Sequence, residues 1–304
     1  MKILVTGGAG FIGRHLIERL TQKDLGAVAA LDNLSRGAWE SLRNCGGKVE
    51  IIPGDIRDRG VMTAAMKGVS VVFHLAAQSN VLGAAADLDY SFSTNVGGTF
   101  EVLRAASAAG VTRLVFTSSR EVYGEAERLP VSESAPLHPK NAYGASKVAG
   151  ESYARVFAGS GLPISILRLA NVYGPGDKDR VIPIFLERLA RQEPLVIFGG
   201  RQVLDFVWID TVVDALLAAA FGERLAGPVN VGSGEGITLQ QLAERVARSV
   251  DSRAEIRIEP AREIETTRFV ADVTKMRNEL GIEPGPDALA WLPQVASQRE
   301  VVRA

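Results

Sequence analysis

Tyr143 and Lys147 stand four residues apart in the stretch NAYGASKVAGE at 141–151. The composition favours a helix, where residues four apart share one face a turn from each other. Free tyrosine titrates near pH ~10, and a neighbouring cation stabilises the phenolate and lowers that value. A tyrosine tuned toward neutrality can take the proton of a hydroxyl as hydride leaves the same carbon, which is general base work. The same spacing fits an amphipathic helix with a surface tyrosine and lysine, so other motifs must decide. Gly144, Ala145, Ala149 and Gly150 give this helix small side chains that let another surface approach closely.

A dinucleotide site is legible upstream. Lys2 to Thr6 is a short apolar strand running into Gly7-Gly8-Ala9-Gly10-Phe11-Ile12-Gly13, followed by helical periodicity over Arg14 to Leu20. Glycines at 7, 10 and 13 allow a tight turn, close approach to a pyrophosphate and close helix packing, and the helix N-terminus offers N–H groups to phosphates. Asp32, after the strand Ala27 to Leu31, can accept hydrogen bonds from the adenosine ribose and would repel the 2′-phosphate of NADP, so NAD is expected. The alternatives are that Asp32 is a loop or cap residue opening DNLSRG, and that Arg36 offsets a phosphate.

Val49 to Ile52 ends in PGDIRD, which puts Asp55 and Ile56 at a strand edge where an adenine would be bracketed. Asp55 or Asp58 could equally cap the helix over Val61 to Met66. Val69 to Leu75 is continuously apolar, as a strand buried on both faces should be. It leads into His74-Leu75-Ala76-Ala77-Gln78, whose small residues let the chain pass close to a dinucleotide, while His74 reads as a core histidine. A fifth strand, Arg113 to Thr117, ends in Thr117-Ser118-Ser119-Arg120-Glu121-Val122-Tyr123-Gly124. Hydroxyls at such a carboxyl end point into the crevice where α/β proteins bind ligands, although serines there also serve as turn residues.

These elements imply an architecture. Helical patterns over Asn95 to Ala109 and the Tyr143 helix separate the strands, and Ile164 to Leu169 is the sixth. Six strands alternating with helices up to residue 169, then a less regular remainder, predict an α/β fold: a Rossmann doubly wound parallel sheet with a smaller C-terminal substrate-binding lobe. The domains expected are 1–169 for NAD and mainly 170–304 for substrate, with a return to the first around 204–232. In the second part, strands are expected over Leu195 to Phe198, Val229 to Gly232 and Glu255 to Ile258, helices over Val181 to Arg191, Thr211 to Ala220 and Leu239 to Val250, and a solvated helix end at SQREVVRA.

Whole-chain properties narrow the classes. With 304 residues, 46% hydrophobic and a net charge of -1, the chain has no field for nucleic acid or anionic membrane. Cys45 is the single cysteine, so no internal disulfide is possible and no metal is expected. A strand pattern from residue 2 leaves no room for a signal peptide, and no apolar run approaches the ~20 residues that span a bilayer. A soluble protein of the cytoplasm is therefore expected.

Together the motifs resemble the extended short-chain dehydrogenase/reductase family, in its NAD-dependent nucleotide-sugar epimerase/dehydratase branch. TGGAGFIG at 6–13, LDNLSRG at 31–37, GDIRD at 54–58, HLAAQ at 74–78, TSSREVYG at 117–124, YGASK at 143–147 and NVYGPG at 171–176 occur in family order. The resemblance implies that Gly7, Gly10, Phe11, Ile12 and Gly13 hold the NAD pyrophosphate, Asp32 and Asn33 the ribose, and Asp55 with Ile56 the adenine. Leu75, Ala76, Ala77, Asn95 and Thr117 would line the same groove. It makes Ser119, Tyr143 and Lys147 catalytic, with Lys147 binding the nicotinamide ribose and lowering the phenol's pKa. Glu121, Asn171 and Arg262 would contact the nucleotide sugar.

Two departures bear on activity. Leu204 replaces the arginine usual before Asp-Phe in QVLDFVWID, so a phosphate contact is missing unless Arg201 supplies it. Arg120-Glu121 replaces the Asp-Glu pair of 4,6-dehydratases, which argues against dehydration, while Glu121 still matches UDP-glucuronate decarboxylases. C4 epimerisation of a UDP-hexose is the activity implied, with decarboxylation or dehydration after the same oxidation, or NAD sensing without turnover, as alternatives. The resemblance also implies a homodimer built on the helices near 95–109 and 143–158, where Val102, Val156 and Phe157 could serve the interface or the core.

Overall fold

A computed structural model describes residues 1–45, 47–262 and 264–301. Six strands alternate with helices in the first part: β1 (Lys2–Thr6), β2 (Ala27–Asp32), β3 (Val49–Pro53), β4 (Val69–His74), β5 (Arg113–Ser119) and β6 (Ile164–Leu169). The second part adds β7 (Asn171–Tyr173), β8 (Leu195–Phe198), β9 (Val203–Trp208), β10 (Val229–Val231), β11 (Gly236–Thr238), β12 (Ile256–Glu259) and β13 (Arg268–Phe269). Seven of them form one parallel sheet in the order β3-β2-β1-β4-β5-β6-β10. Every residue of β6 is buried, and β1, β4 and β5 each have one partly exposed residue, because helices cover both faces. The strand order reverses between β1 and β4, and α/β proteins bind ligands at such a switch point.

The helices used below are α1 (Phe11–Gln22), α2 (Arg59–Ala65), α3 (Val81–Ala86), α4 (Leu88–Phe92), α5 (Thr99–Ala108), α6 (Ala142–Gly159), α7 (Val181–Ala190) and α8 (Ile209–Phe221). Leu16, Ile17 and Leu20 make the buried stripe of α1. Its Arg19 reaches α8, donating to Asp210 at 2.8 Å and Asp214 at 2.6 Å. Asn141 caps α6 by accepting from Gly144 N at 2.8 Å. A Cβ at Gly150 would lie 2.7 Å from the Phe116 ring, so the absent side chain lets α6 seat directly on β5.

Three details depart from the sequence reading. The helix expected over Asn95 to Ala109 opens with a wide π-helical turn, Ser93–Gly98, before α5. Asn95 turns inward there, and its side chain holds the backbone of Gln78. β10 joins the large sheet beside β6, whereas β9 lies in a separate four-stranded sheet with β7, β11 and β13. The C-terminal segment adds the helix Thr274–Leu280, which the sequence reading did not include, while the expected helix end falls in the helix Leu292–Val301, with 302–304 outside the described residues. No helix among the described residues is long and apolar enough to cross a membrane.

Candidate active site

A cleft of about 480 Å³ runs along the carboxyl ends of β1, β2, β4, β5 and β6. At one end, the turn after β1 is stitched to β2 by Gly7 N donating to Leu31 O at 2.8 Å. Gly7 has φ +71°, and a Cβ there would stand 2.8 Å from Ala76 N, so the two loops touch only because position 7 is glycine. Gly10 precedes α1 and supplies no side-chain cap, which leaves the first-turn N–H groups facing the cleft. Asp32 is buried, its carboxylate accepting from Ala9 N at 3.0 Å and Leu34 N at 2.8 Å. Burial raises its pKa and the amide hydrogen bonds oppose that rise. Two ionised oxygens have about four lone-pair sites, so acceptor capacity remains for a ribose diol. The glycine turn, the uncapped helix and this carboxylate fit NAD.

At the other end, β5 and α6 converge. Ser119 Oγ accepts from Glu121 N at 3.2 Å, leaving its O–H to donate, and a hydrogen bond from Ser119 acts on the Tyr143 phenol. Lys147 Nζ donates to Thr117 O at 2.8 Å and lies 5.8 Å from the Tyr143 ring centre. Burial pushes the phenol up to about 12, opposed chiefly by Arg180, then by Ser119 and Arg120. Burial also draws the Lys147 ammonium down to about 8, with Glu151 acting against the shift. The protein's own groups therefore hold the phenol protonated, which differs from the lowered value expected of the Tyr143–Lys147 spacing. The reason is that desolvation of the phenolate outweighs the flanking cations.

Behind this pair lies a buried ionic network. Glu151, one turn after Lys147, accepts from Ser118 Oγ at 2.6 Å and from Arg168 Nη2 at 2.7 Å. Arg168 Nη1 donates to the Tyr123 hydroxyl at 2.8 Å, and that hydroxyl donates to Asn230 Oδ1 at 2.7 Å. α6, β5, β6 and β10 are thus pinned to one another below the cleft. His74 is likewise a buried structural group, bonded to Thr6 at 2.8 Å and Thr99 at 2.9 Å and held neutral by burial, with a pKa near 3.

A family-wide sequence profile described as NAD dependent epimerase/dehydratase matches residues 3–232. The chain belongs to that family. It is 37% identical to UDP-glucose 4-epimerase of Mycolicibacterium smegmatis over 97% of this chain and 95% of that one. The solved UDP-glucose 4-epimerase of Thermotoga maritima, in complex with UDP-glucose, superposes with a TM-score of 0.93 at 33% identity, covering 100% of both chains. A dTDP-glucose 4,6-dehydratase from Streptomyces venezuelae, solved with NAD bound, gives 0.94 at 31% identity, covering 100% of this chain and 98% of that one. This protein is accordingly an NAD-dependent member of the family.

Among the residues singled out from sequence, the cleft is lined by Gly7, Gly10, Phe11, Ile12 and Gly13 with Asp32, Asn33 and Ile56. Leu75, Ala76, Ala77, Thr117, Ser119, Glu121, Tyr143, Lys147 and Asn171 line it too. Three others lie outside the lining. Asp55 is engaged by Arg57 at 2.7 Å and Asn33 at 2.9 Å, and the Arg57 guanidinium holds its carboxyl down near 2. Asn95 braces Gln78 and donates to Ser146 Oγ at 3.0 Å. Arg262 stacks 3.8 Å from the centre of the Phe198 ring and pairs with Glu265 at 3.3 Å. Leu204 is buried in the core, and Arg201 is exposed and does not line the cleft.

The family motifs did not point to the charged rim. Arg14, Asp177, Asp179 and Arg180 also line the cleft. Arg36 bridges it, donating to Ser79 Oγ at 3.3 Å and pairing with Asp179 at 3.4 Å. The available signal was the charge-dense turn GPGDKDR at 174–180, which sits where the alternating pattern ends.

Proposed function

We propose that this enzyme interconverts the C4 epimers of a UDP-hexose, of the glucose/galactose type or its N-acetyl form, through a transient 4-keto sugar. The observation that carries the reading is the Ser119 hydroxyl set against the Tyr143 phenol, with Lys147 on the same helix face. Ser119 and Tyr143 hold the 4-hydroxyl, and Tyr143 receives its proton and later returns it to the same oxygen, while the hydride returns to the opposite face of C4. Lys147, fixed to Thr117 O, keeps two further N–H donors for the nicotinamide ribose and places positive charge near the phenol. Asp32, Asn33 and the glycine turn hold the rest of the dinucleotide. Bound NAD supplies a hydride acceptor at C4, a hydride donor on the return, and a positive ring that favours the phenolate.

Dehydration and decarboxylation after the same oxidation fit less well. Glu121 is buried, and its oxygens already accept from Arg120 at 2.8 Å, Asn141 at 2.7 Å and Thr266 at 2.9 Å. A carboxylate so committed anchors its neighbours and has little freedom to move protons on a sugar. Substrate contacts are assigned to Ser119, Glu121, Asn171 and Arg262, the last toward the diphosphate. A homodimer is also proposed, supported by Phe92 at 66% and Val156 at 64% exposure on α4 and α6, while Val102 is part of the core. The composition and the single cysteine support a cytoplasmic location.

The test is turnover. Purified protein with UDP-glucose, UDP-galactose or their N-acetyl forms should yield the C4 epimer by NMR. Tyr143→Phe should lower kcat by about 10²–10⁴-fold with NAD still bound. A 4-keto or decarboxylated product, or wild-type turnover in the variant, would reject the assignment.

A further inference from the structure

Arg120 follows Ser119 at the end of β5 and lines the same cleft. Its guanidinium is committed on two sides. Nε donates to Asn171 Oδ1 at 3.2 Å and Nη2 pairs with Glu121 Oε1 at 2.8 Å. The third nitrogen, Nη1, is buried and has no hydrogen-bond partner among the described residues. The side chain is only 12% exposed, so water has little access. A buried donor without a partner is costly, and a cation with a fixed fork geometry is best satisfied by an anionic oxygen.

The location restricts which anion this is. Arg120 adjoins the serine assigned to the 4-hydroxyl, and its charge acts on the Tyr143 phenol, so it belongs to the sugar end of the cleft. Among the carbons of a hexopyranose other than the anomeric one, only the exocyclic C6 can become a carboxylate with the ring intact. C6 is carried by C5, the immediate neighbour of C4. We propose that Arg120 is a specificity-determining residue that selects a nucleotide sugar bearing a C6 carboxylate, a UDP-hexuronate, over the C6 alcohol. This rests on the epimerase reading above and shifts its preferred substrate from the C6 alcohol to the C6 acid. Glu121, held by Asn141 and Thr266, and Asn171, held by its own donation to Asp205 O at 2.8 Å, fix the guanidinium at the cleft wall on its Nε and Nη2 sides, which leaves Nη1 as the one uncommitted nitrogen.

Binding and turnover are measured separately on the NAD-loaded enzyme, with UDP, UDP-glucose and UDP-glucuronate as probes. In calorimetry the wild type should bind UDP-glucuronate about ten-fold or more tighter than UDP-glucose, the size of one charged hydrogen bond. NMR should show the same preference in kcat/KM for C4 epimer formation. Arg120→Gln should collapse the preference, and Arg120→Lys should restore part of it. Equal affinity for the two sugars in the wild type overturns the assignment without any variant. Loss of UDP binding in Arg120→Gln as large as the loss of UDP-glucuronate binding also overturns it, because Arg120 then serves the diphosphate. Preference in binding with no epimer formed keeps the carboxylate site and rejects the epimerase reading instead.

Discussion

Lys147 Nζ lies 5.8 Å from the centre of the Tyr143 ring, yet its hydrogen bond goes to the Thr117 carbonyl, 2.8 Å away on β5. The ammonium is therefore positioned by the sheet, over the ring of Tyr143 and bonded to the strand. Burial draws its pKa down to about 8, whereas a lysine in the unfolded chain titrates near ~10.4. Between those values the unfolded chain binds more protons, so this group makes stability rise with pH across the window. Lys147→Met should remove that rise in urea melts and lower kcat by about 10²–10⁴-fold. An unchanged stability profile in the variant would show that Lys147 titrates normally.

Asp32 is proposed to set cofactor choice. Its buried carboxylate is already held by Ala9 N and Leu34 N, so its orientation toward the cleft precedes ligand binding. Asp32→Asn keeps the shape and removes the charge. NAD affinity should fall by about 10–100-fold, the range for hydrogen bonds to a charged group. NADP affinity should fall less or rise, which narrows the NAD:NADP ratio in a fluorescence titration. Equal losses for both dinucleotides would assign Asp32 to the loop alone.

The Glu151–Arg168 pair controls acid stability. Burial alone would raise the Glu151 carboxyl, but Arg168, Ser118 and Arg155 hold it below its usual value. A carboxyl depressed in the fold contributes stability above its unfolded pKa of ~4.3, and that stability is lost as pH falls through the folded value. Arg168→Met strands a carboxylate that is 0% exposed and should cost about 3–5 kcal/mol at neutral pH. The deficit should shrink as pH falls below the unfolded value of ~4.3, because the variant no longer buries an unpaired charge while the wild type loses its ion pair. A deficit independent of pH would place the loss in packing.

Asn95 couples the wide turn to the cleft wall. Its amide accepts from Gln78 N at 2.8 Å and donates to Gln78 O and Ser146 Oγ, both at 3.0 Å. Asn95→Ala leaves these buried groups unpaired and should destabilise the fold by about 1–3 kcal/mol. NAD affinity should drop with it, because residues 75–77 lose their brace. Full stability with weakened NAD would instead indicate direct contact between Asn95 and the dinucleotide.

The N-terminal strands were legible because strands buried on both faces appear as largely apolar runs, as in Ala27–Leu31, and glycines mark the turns between them. The pairing of Tyr143 with Lys147 was legible because it needs only the pitch of one helix. Short strands such as Asn171–Tyr173 and Arg268–Phe269 were missed because two or three residues carry no periodicity; they exist through pairing with Val203–Trp208.

The sequence alone determined the doubly wound sheet and the glycine turn, and by motif order it singled out Asp32, Ser119, Tyr143 and Lys147, all of which line one cleft. Tertiary structure alone decided that Asn95 and Asp55 spend their polar atoms on the protein, that Glu121 is tied by three donors, and that Arg120 keeps one nitrogen unpaired. The reason is that hydrogen-bond partners and desolvation come from residues such as Thr266, which lies 145 positions from Glu121 and meets it only when the chain has folded.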